Sequence, residues 1–423
     1  MKTKILLTTV SSFFILHSAF AQGALTPPGA PAPTMKTLDQ LEPRTPISQA
    51  GISLGAGSYY LTGNLTATGN INGIIVTAND VTIDLNGFEI IGSGAAATGI
   101  FLNSGIANIT IRNGTIRSWG SDGINGVGNP RVRVENVRVF GNGLDGIAVD
   151  VNAVVKDCIA QGNSGSGIKG TDNCLIENCQ AIASTNALSG HGIVVGDACI
   201  LTRCVARGNP GIGISVGSGT TLANCVASTN RGDAGIHTGS RCTLLGCTAD
   251  ANTGALATSA GILTGDSCLV SHCSVTGSQT TAVKSISTGM GISVPQFCSV
   301  EHCSVTACIG DGIRAANDCT ITDNTSDENG FLGSISAGIH TTSDHNRIEA
   351  NSVNGNRDGI VVDGTDSLIL KNSASRNLGG FVIAASNRYG AIVLISSGVT
   401  AAVNGGAAAN TLTTSDPWAN FSY

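Results

Sequence analysis

Asp122, Asp145 and His191 each stand directly before a Gly-Ile step, Asp150 follows Ile147 by three residues, and Lys169 lies two past Gly167. If the chain repeats in space as it does in sequence, these groups fall along one wall. Carboxylates such as Asp145 and Asp150 could hold a calcium ion against the acid group of a uronic-acid sugar, and Lys169 could take a proton from the neighbouring carbon. Asp122, Asp145, Lys169 and His191 are therefore candidate catalytic residues, with Asp145 and Asp150 as candidate metal ligands. A second set, Asp311, Arg314, His340 and Asp358, has the same logic and forms a candidate ligand-binding cluster. The competing reading is that Asp-Gly is a favoured turn, here placed before each strand.

The positioning element is a repeat. Gly-Ile recurs at Gly73, Gly99, Gly123, Gly146, Gly167, Gly192, Gly213, Gly235, Gly261, Gly291, Gly312, Gly338 and Gly359, with Gly380-Phe381 as a variant, at intervals of 21 to 30 residues. Each unit also carries a pattern such as Cys199-Ile200-Leu201-Thr202-Arg203-Cys204-Val205-Ala206, whose alternation marks short strands. Units with about three short strands and no helix bury their apolar positions only by stacking on one another. The sequence therefore predicts an all-β protein, a right-handed parallel β-helix solenoid of about 14 coils with N- and C-terminal caps, on the order of 65 Å long at about 4.8 Å per coil.

The corners agree with this. The position before the second strand of the pattern is Asn113, Asn136, Asp157, Asn178, Arg203, Asn224, Gly246, His272, His302, Asp323, Ala350 and Lys371, mostly types that tolerate the left-handed conformation a sharp corner demands. His272 and His302 are set aside as corner residues on this ground. A second column, including Asn163, Asn209, Asn230 and Asn252, is expected to form a coil-to-coil hydrogen-bonding ladder.

Thirteen of the 14 cysteines fall in two further columns, the second containing Cys179, Cys204 and Cys247. Zinc and disulfides are the sharper readings of such spacing. However, Thr220, Ala153, Asn324, Asn351 and Asn372 occupy the same slots, and in-register neighbours lie beyond the roughly 3.5–4.5 Å Cβ separation of a disulfide. Buried, stacked thiols are expected.

Composition fits a solenoid solvated by small polar groups: 12% of residues are charged against about 25% in an ordinary soluble chain, 57 are Gly, and the net charge is −6. No Lys/Arg run is present, so nucleic acid is not an expected partner. Lys2, Lys4, the apolar stretch to Leu16 and Ala19-Phe20-Ala21 read as a signal peptide over 1–21. Residues 22–35 form a Pro/Ala/Gly linker, 36–72 an N-terminal cap with a short helix near 35–42, 73–390 the β-helix, and 391–423 a C-terminal cap with an aromatic tail. No transmembrane helix is expected. Irregular lengths concentrate at 184–191, 253–260, 279–290 and 330–337, at one corner of the coil, where a ligand-binding edge is expected.

The leader, the PPGAPAPTMKTLDQLEPRTPIS segment, Tyr59-Tyr60-Leu61-Thr62-Gly63-Asn64, the Gly-Ile and Cys-x4-Cys coils and the closing Ser415-Asp416-Pro417-Trp418-Ala419-Asn420-Phe421 resemble exported right-handed parallel β-helix repeat proteins common in planctomycete and verrucomicrobial bacteria. More broadly the chain resembles the pectate-lyase-like β-helix superfamily, which implies polysaccharide chemistry without fixing one. Ser189-Gly190-His191-Gly192-Ile193 is similar to the Gly-His-Gly element of polygalacturonase-type hydrolases, but the accompanying Asp-Asp, Asn-Thr-Asp and Arg-Ile-Lys elements are absent. The expected role is a periplasmic, cell-surface or extracellular scaffold or carbohydrate-binding rod, requiring no cofactor. A polyuronide lyase, with calcium, or a glycoside hydrolase is the alternative.

Overall fold

In a computed structural model of the chain, the residues described are 43–95, 97–186, 190–256, 258–280, 289–330, 336–394 and 416–422. The expected signal peptide, linker and short helix near 35–42 lie outside them. From Arg44 onward the chain forms one compact unit. It is all β: every pairing between strands is parallel, and each coil contributes one strand to a 15-stranded sheet and, as a rule, two to a 30-stranded sheet. No described helix is long and apolar enough to cross a membrane.

Register follows the Gly-Ile repeat. Ile168 pairs with Ile193, Ile193 with Ile214 and Ile214 with Ile236, so one isoleucine column runs along the interior. These side chains are fully buried, as are Ile176, Leu201, Leu222 and Leu244 from the facing strands. Two apolar columns of facing sheets thus meet across the coil, and burial of each Leu or Ile is worth roughly 1.5–3 kcal/mol. The glycine before each isoleucine is required by space: a Cβ on Gly192 would lie 2.4 Å from the carbonyl oxygen of Gly213.

Each full coil turns through three left-handed corners, two more than the sequence reading identifies. Arg203, Asn224, His272, Ala350 and Lys371, all in the corner column named above, have φ of 53–58°. A second corner precedes the asparagine ladder, as at Gly162 and Gly208, and a third precedes the first cysteine column, as at Asn173 and Ala198. Each corner directs the next side chain inward, leaving backbone N–H groups that must find acceptors.

Those acceptors explain the Asn and Cys columns together. Asn230 Oδ1 accepts from the Asn209 backbone N at 3.1 Å and from Asn209 Nδ2 at 2.9 Å, while Asn230 Nδ2 donates to the Ala206 carbonyl at 3.0 Å and to Asn252 Oδ1 at 3.0 Å. Asn163 accepts in the same way from Asn142. In the cysteine column the thiol does the same with weaker bonds: Cys174 N donates to Cys199 Sγ at 3.2 Å, and Cys199 N to Thr220 Oγ1 at 3.1 Å. Cys179 and Cys204 thiols donate to the Val155 and Ile176 carbonyls one coil away, and Cys247 to that of Leu222. Cys, Thr, Ser and Asn in these columns each offer a short acceptor and donor, while the buried Ala153 fills the same slot by volume alone. The fourteenth cysteine, Cys308, takes a rung of the asparagine ladder, its N–H donating to Asn329 Oδ1 at 2.9 Å, and burial pushes its thiol up to about 11. All 14 cysteines are buried and free.

The ends depart from the sequence boundaries. Stacking starts at Thr45, before Gly73, because Gly51-Ile52 is itself a Gly-Ile step: Ile52–Leu54 pairs with Ile74–Val76, and Thr45–Ile47 with Gly57–Leu61. The stretch assigned to a separate N-terminal cap over 36–72 therefore contains true coil. At the other end Asn420–Ser422 returns to pair with both Ile392–Leu394 and Ser373–Ser375, and Asn420 Oδ1 accepts from Asn372 N at 3.0 Å. The tail thus supplies the last rung of the column of Asn324, Asn351 and Asn372. The irregular corner gains a third, two-stranded sheet, Thr253–Gly254 with Gln279–Thr280; residues 187–189, 257, 281–288 and 331–335 of the longer segments lie outside the described residues.

Candidate functional site

The first candidate set divides by position in the coil. Asp122, Asp145 and His191 share the position before Gly-Ile, at the entrance to the 15-stranded sheet. Each accepts a backbone N–H from the next coil: Asp122 from Asp145 at 2.9 Å, Asp145 from Ser166 at 2.7 Å, and His191 Nδ1 from Ile212 at 2.9 Å. The next coil answers with glycine, since a Cβ on Gly165 would lie 2.3 Å from Asp145 Oδ1 and one on Gly211 2.5 Å from His191 Nδ1. Burial pushes the Asp122 carboxyl up and the His191 imidazole down. With Nδ1 accepting a backbone proton, His191 is held in its neutral form with Nε2 protonated.

Asp145 stands two residues before the short strand Ile147–Ala148, and Asp150 two residues after it. There it accepts from Gly128 N, Val151 N and Thr171 Oγ1 at 2.6–2.7 Å, and the Thr171 hydroxyl leads the interactions that hold its carboxyl below the ordinary range. Asp145 and Asp150 are not brought together as a ligand pair. Among the described residues no group of three or more His, Cys, Asp or Glu could hold a metal ion. Lys169 lies on the outer face of the sheet, with Nζ 3.8 Å from Asp145 Oδ2.

The second set is brought together more closely. Asp311 is fully buried and accepts from Ala337 N at 2.9 Å, Arg314 Nη1 at 3.0 Å and His340 Nδ1 at 3.0 Å. On its other side His340 Nε2 lies 2.9 Å from Asp363 Oδ2, so a buried imidazole is clamped between two carboxylates. Asp358 is left out: it stands one coil on, with Oδ1 2.5 Å from the place a Cβ on Gly379 would occupy. Sequence reasoning missed Asp363, although it follows Ile360 by three residues as Asp150 follows Ile147.

Burial alone would depress the His340 imidazole, but the Asp311 and Asp363 carboxylates outweigh it and the net shift is upward. A pKa raised on folding contributes stability that is fully present below the unfolded value of about 6.5 and is lost as pH rises through the folded value. In urea titrations the wild type should therefore lose stability relative to H340Q as pH rises above the unfolded value of about 6.5. Parallel pH profiles of the two proteins would contradict this.

Beside Arg314 the outer face of the 15-stranded sheet carries a cleft of about 190 Å³ lined by Leu263, Thr264, Ser293, Pro295, Arg314 and Thr342. Thr264 is 5% exposed and its Oγ1 has no hydrogen-bond partner among the described residues. Arg314 thus connects this cleft to the Asp311–His340–Asp363 chain.

Parallel coils with in-register ladders define a parallel β-solenoid. The chain belongs to the family described as Right handed beta helix region, which matches residues 50–186, 168–296 and 260–418. No curated protein matches it. Among solved structures it is similar to the A-module of a mannuronan C-5 epimerase from Azotobacter vinelandii, at 15% identity and TM-score 0.41, covering 79% of this chain and 89% of that one. It is also similar to PfbA, a surface adhesin of Streptococcus pneumoniae, at 12% identity and TM-score 0.26, covering 80% and 84%. These likenesses concern the fold.

Proposed function

We propose that the chain is an exported bacterial protein of the group it resembles, a rigid scaffold that binds an extracellular or cell-wall polysaccharide along its outer wall and needs no cofactor. The observation that supports this is how the polar atoms are used. Asp122, Asp145 and His191 hold the following coil through backbone N–H groups, whereas Ser293 and Arg314, the latter also bonded to Asp311, line a cleft that opens outward. The Ser293 hydroxyl and the Arg314 guanidinium suit a sugar hydroxyl and an occasional acid group, and Leu263 and Pro295 suit the apolar face of a sugar ring. The extra strands at Thr253–Gly254 and Gln279–Thr280 stand at a corner of the coils leading into this stretch. On a glycan array R314Q should weaken binding to the best polysaccharide about tenfold or more, as expected for a charge-assisted hydrogen bond. Unchanged binding by a folded R314Q protein would remove this cleft from the reading.

A second reading is favoured by the clamped imidazole. Asp311, His340 and Asp363 with Arg314 could act as a proton-handling set in a polyuronide lyase or glycoside hydrolase, and calcium on nearby carboxylates belongs to that reading alone.

A further inference from the structure

His272 and His302 occupy successive rungs of one left-handed corner, with φ of 54° at each, and their rings stack at a centroid separation of 4.9 Å and an interplanar angle of 6°. Both side chains are exposed. Their strands are locked in register, Ser271 opposite Glu301, so the spacing of the imidazoles is set by the solenoid rather than by chance of a loop. Ser271 Oγ lies 2.7 Å from His272 Nδ1, which leaves Nε2 facing outward, and the His302 ring nitrogens make no hydrogen bond among the described residues. The next rung of the same corner is Asp323, also left-handed and exposed, and Glu301 precedes His302. No Lys or Arg occupies a rung of this corner between Gly246 and Asp323.

We infer that this His272–His302 pair is a surface site for a borderline divalent transition-metal ion, coordinated by the two imidazoles and by water. Nitrogens bound to one such ion stand about 2.0–2.1 Å from it, and hence at most about 4.2 Å from each other. The 4.9 Å separation is between centroids of nearly parallel rings, whose lone pairs do not converge, so binding requires both exposed side chains to swing out of the stacked pose until one nitrogen of each faces the ion, with the corner backbone unmoved. Imidazole selects nickel, copper and zinc over calcium and magnesium, and the acidic neighbours add attraction for a cation. The site is independent of the polysaccharide reading, because it lies at a corner of the 30-stranded sheet and not on the wall that carries Arg314.

Calorimetric titration of the full chain with nickel chloride at about pH 7.5 tests this. One saturable binding event is expected, tighter than with zinc chloride and absent with calcium chloride. H272N and H302N keep the corner, since asparagine already fills it at Asn113, Asn136, Asn178 and Asn224, and both variants should melt like the wild type without metal. Each should weaken nickel binding about tenfold or more, and the double variant should show no saturable binding. H345N, which removes an exposed histidine at another corner, should bind as the wild type does. Failure to see saturable nickel binding, or binding that survives in the folded double variant, would overturn the site.

Discussion

G192A should be among the most damaging single substitutions in the chain, costing about 3 kcal/mol or more in urea denaturation. The added methyl would meet three things at once: the Gly213 carbonyl at 2.4 Å, the Ala206 Cβ at 2.7 Å and Asn209 Nδ2 at 2.8 Å. The first belongs to the backbone of the next coil, whose position is fixed by the Ile193 N–H to Gly213 carbonyl bond of 2.9 Å. The third belongs to the buried ladder. Relief in any direction breaks a hydrogen bond that water cannot replace. G63A provides the contrast, because nothing lies within 4 Å of its Cβ position and the change should stay within about 0.5 kcal/mol. Equal stability of the two variants would show that coil spacing is not set by these glycines.

N230A should cost about 3–5 kcal/mol by the same measurement. Asn230 is fully buried, and its removal leaves the Asn209 backbone N–H and side-chain amide without their acceptor and the Ala206 carbonyl without a donor. Each orphaned buried group is worth roughly 1–3 kcal/mol, and a cavity adds to the sum. N230S should recover part of the loss, since a serine hydroxyl can accept one of the two Asn209 N–H groups. A serine variant no better than alanine would mean that volume, not hydrogen bonding, decides the column.

Much of the architecture was legible because solenoids repeat their solutions. Gly-Ile at intervals of 21 to 30 residues marks where one coil passes over the next, and the corner column reads as left-handed even where Arg203, Ala350 and Lys371 fill it. Once the period is known, neighbours in space follow by counting, which is why Asp311, Arg314 and His340 could be grouped before any distance was known. What counting does not reveal is where a side chain points and what it has already bonded. Asp145 and Asp150 flank one short strand, and their carboxylates, like that of Asp122, are engaged by backbone N–H groups. Asp363 needed the fold because it reaches His340 across a coil, and Thr264 because its missing partner is visible only in three dimensions. The early start of the coils at Gly51-Ile52 was in plain view, hidden by the Pro-rich segment before it.

Two uses of polar side chains remain in competition along this wall, holding coils together and handling a substrate. Incubation of the protein with a panel of uronic-acid and neutral polysaccharides, with and without calcium, followed by chain-length analysis and absorbance of unsaturated ends in the near ultraviolet, separates them. The expected result is polysaccharide of unchanged length, with no unsaturated ends, under conditions where the protein binds it. Shortened chains or unsaturated ends that disappear in H340Q would contradict the scaffold reading and establish the Asp311–His340–Asp363 chain as catalytic.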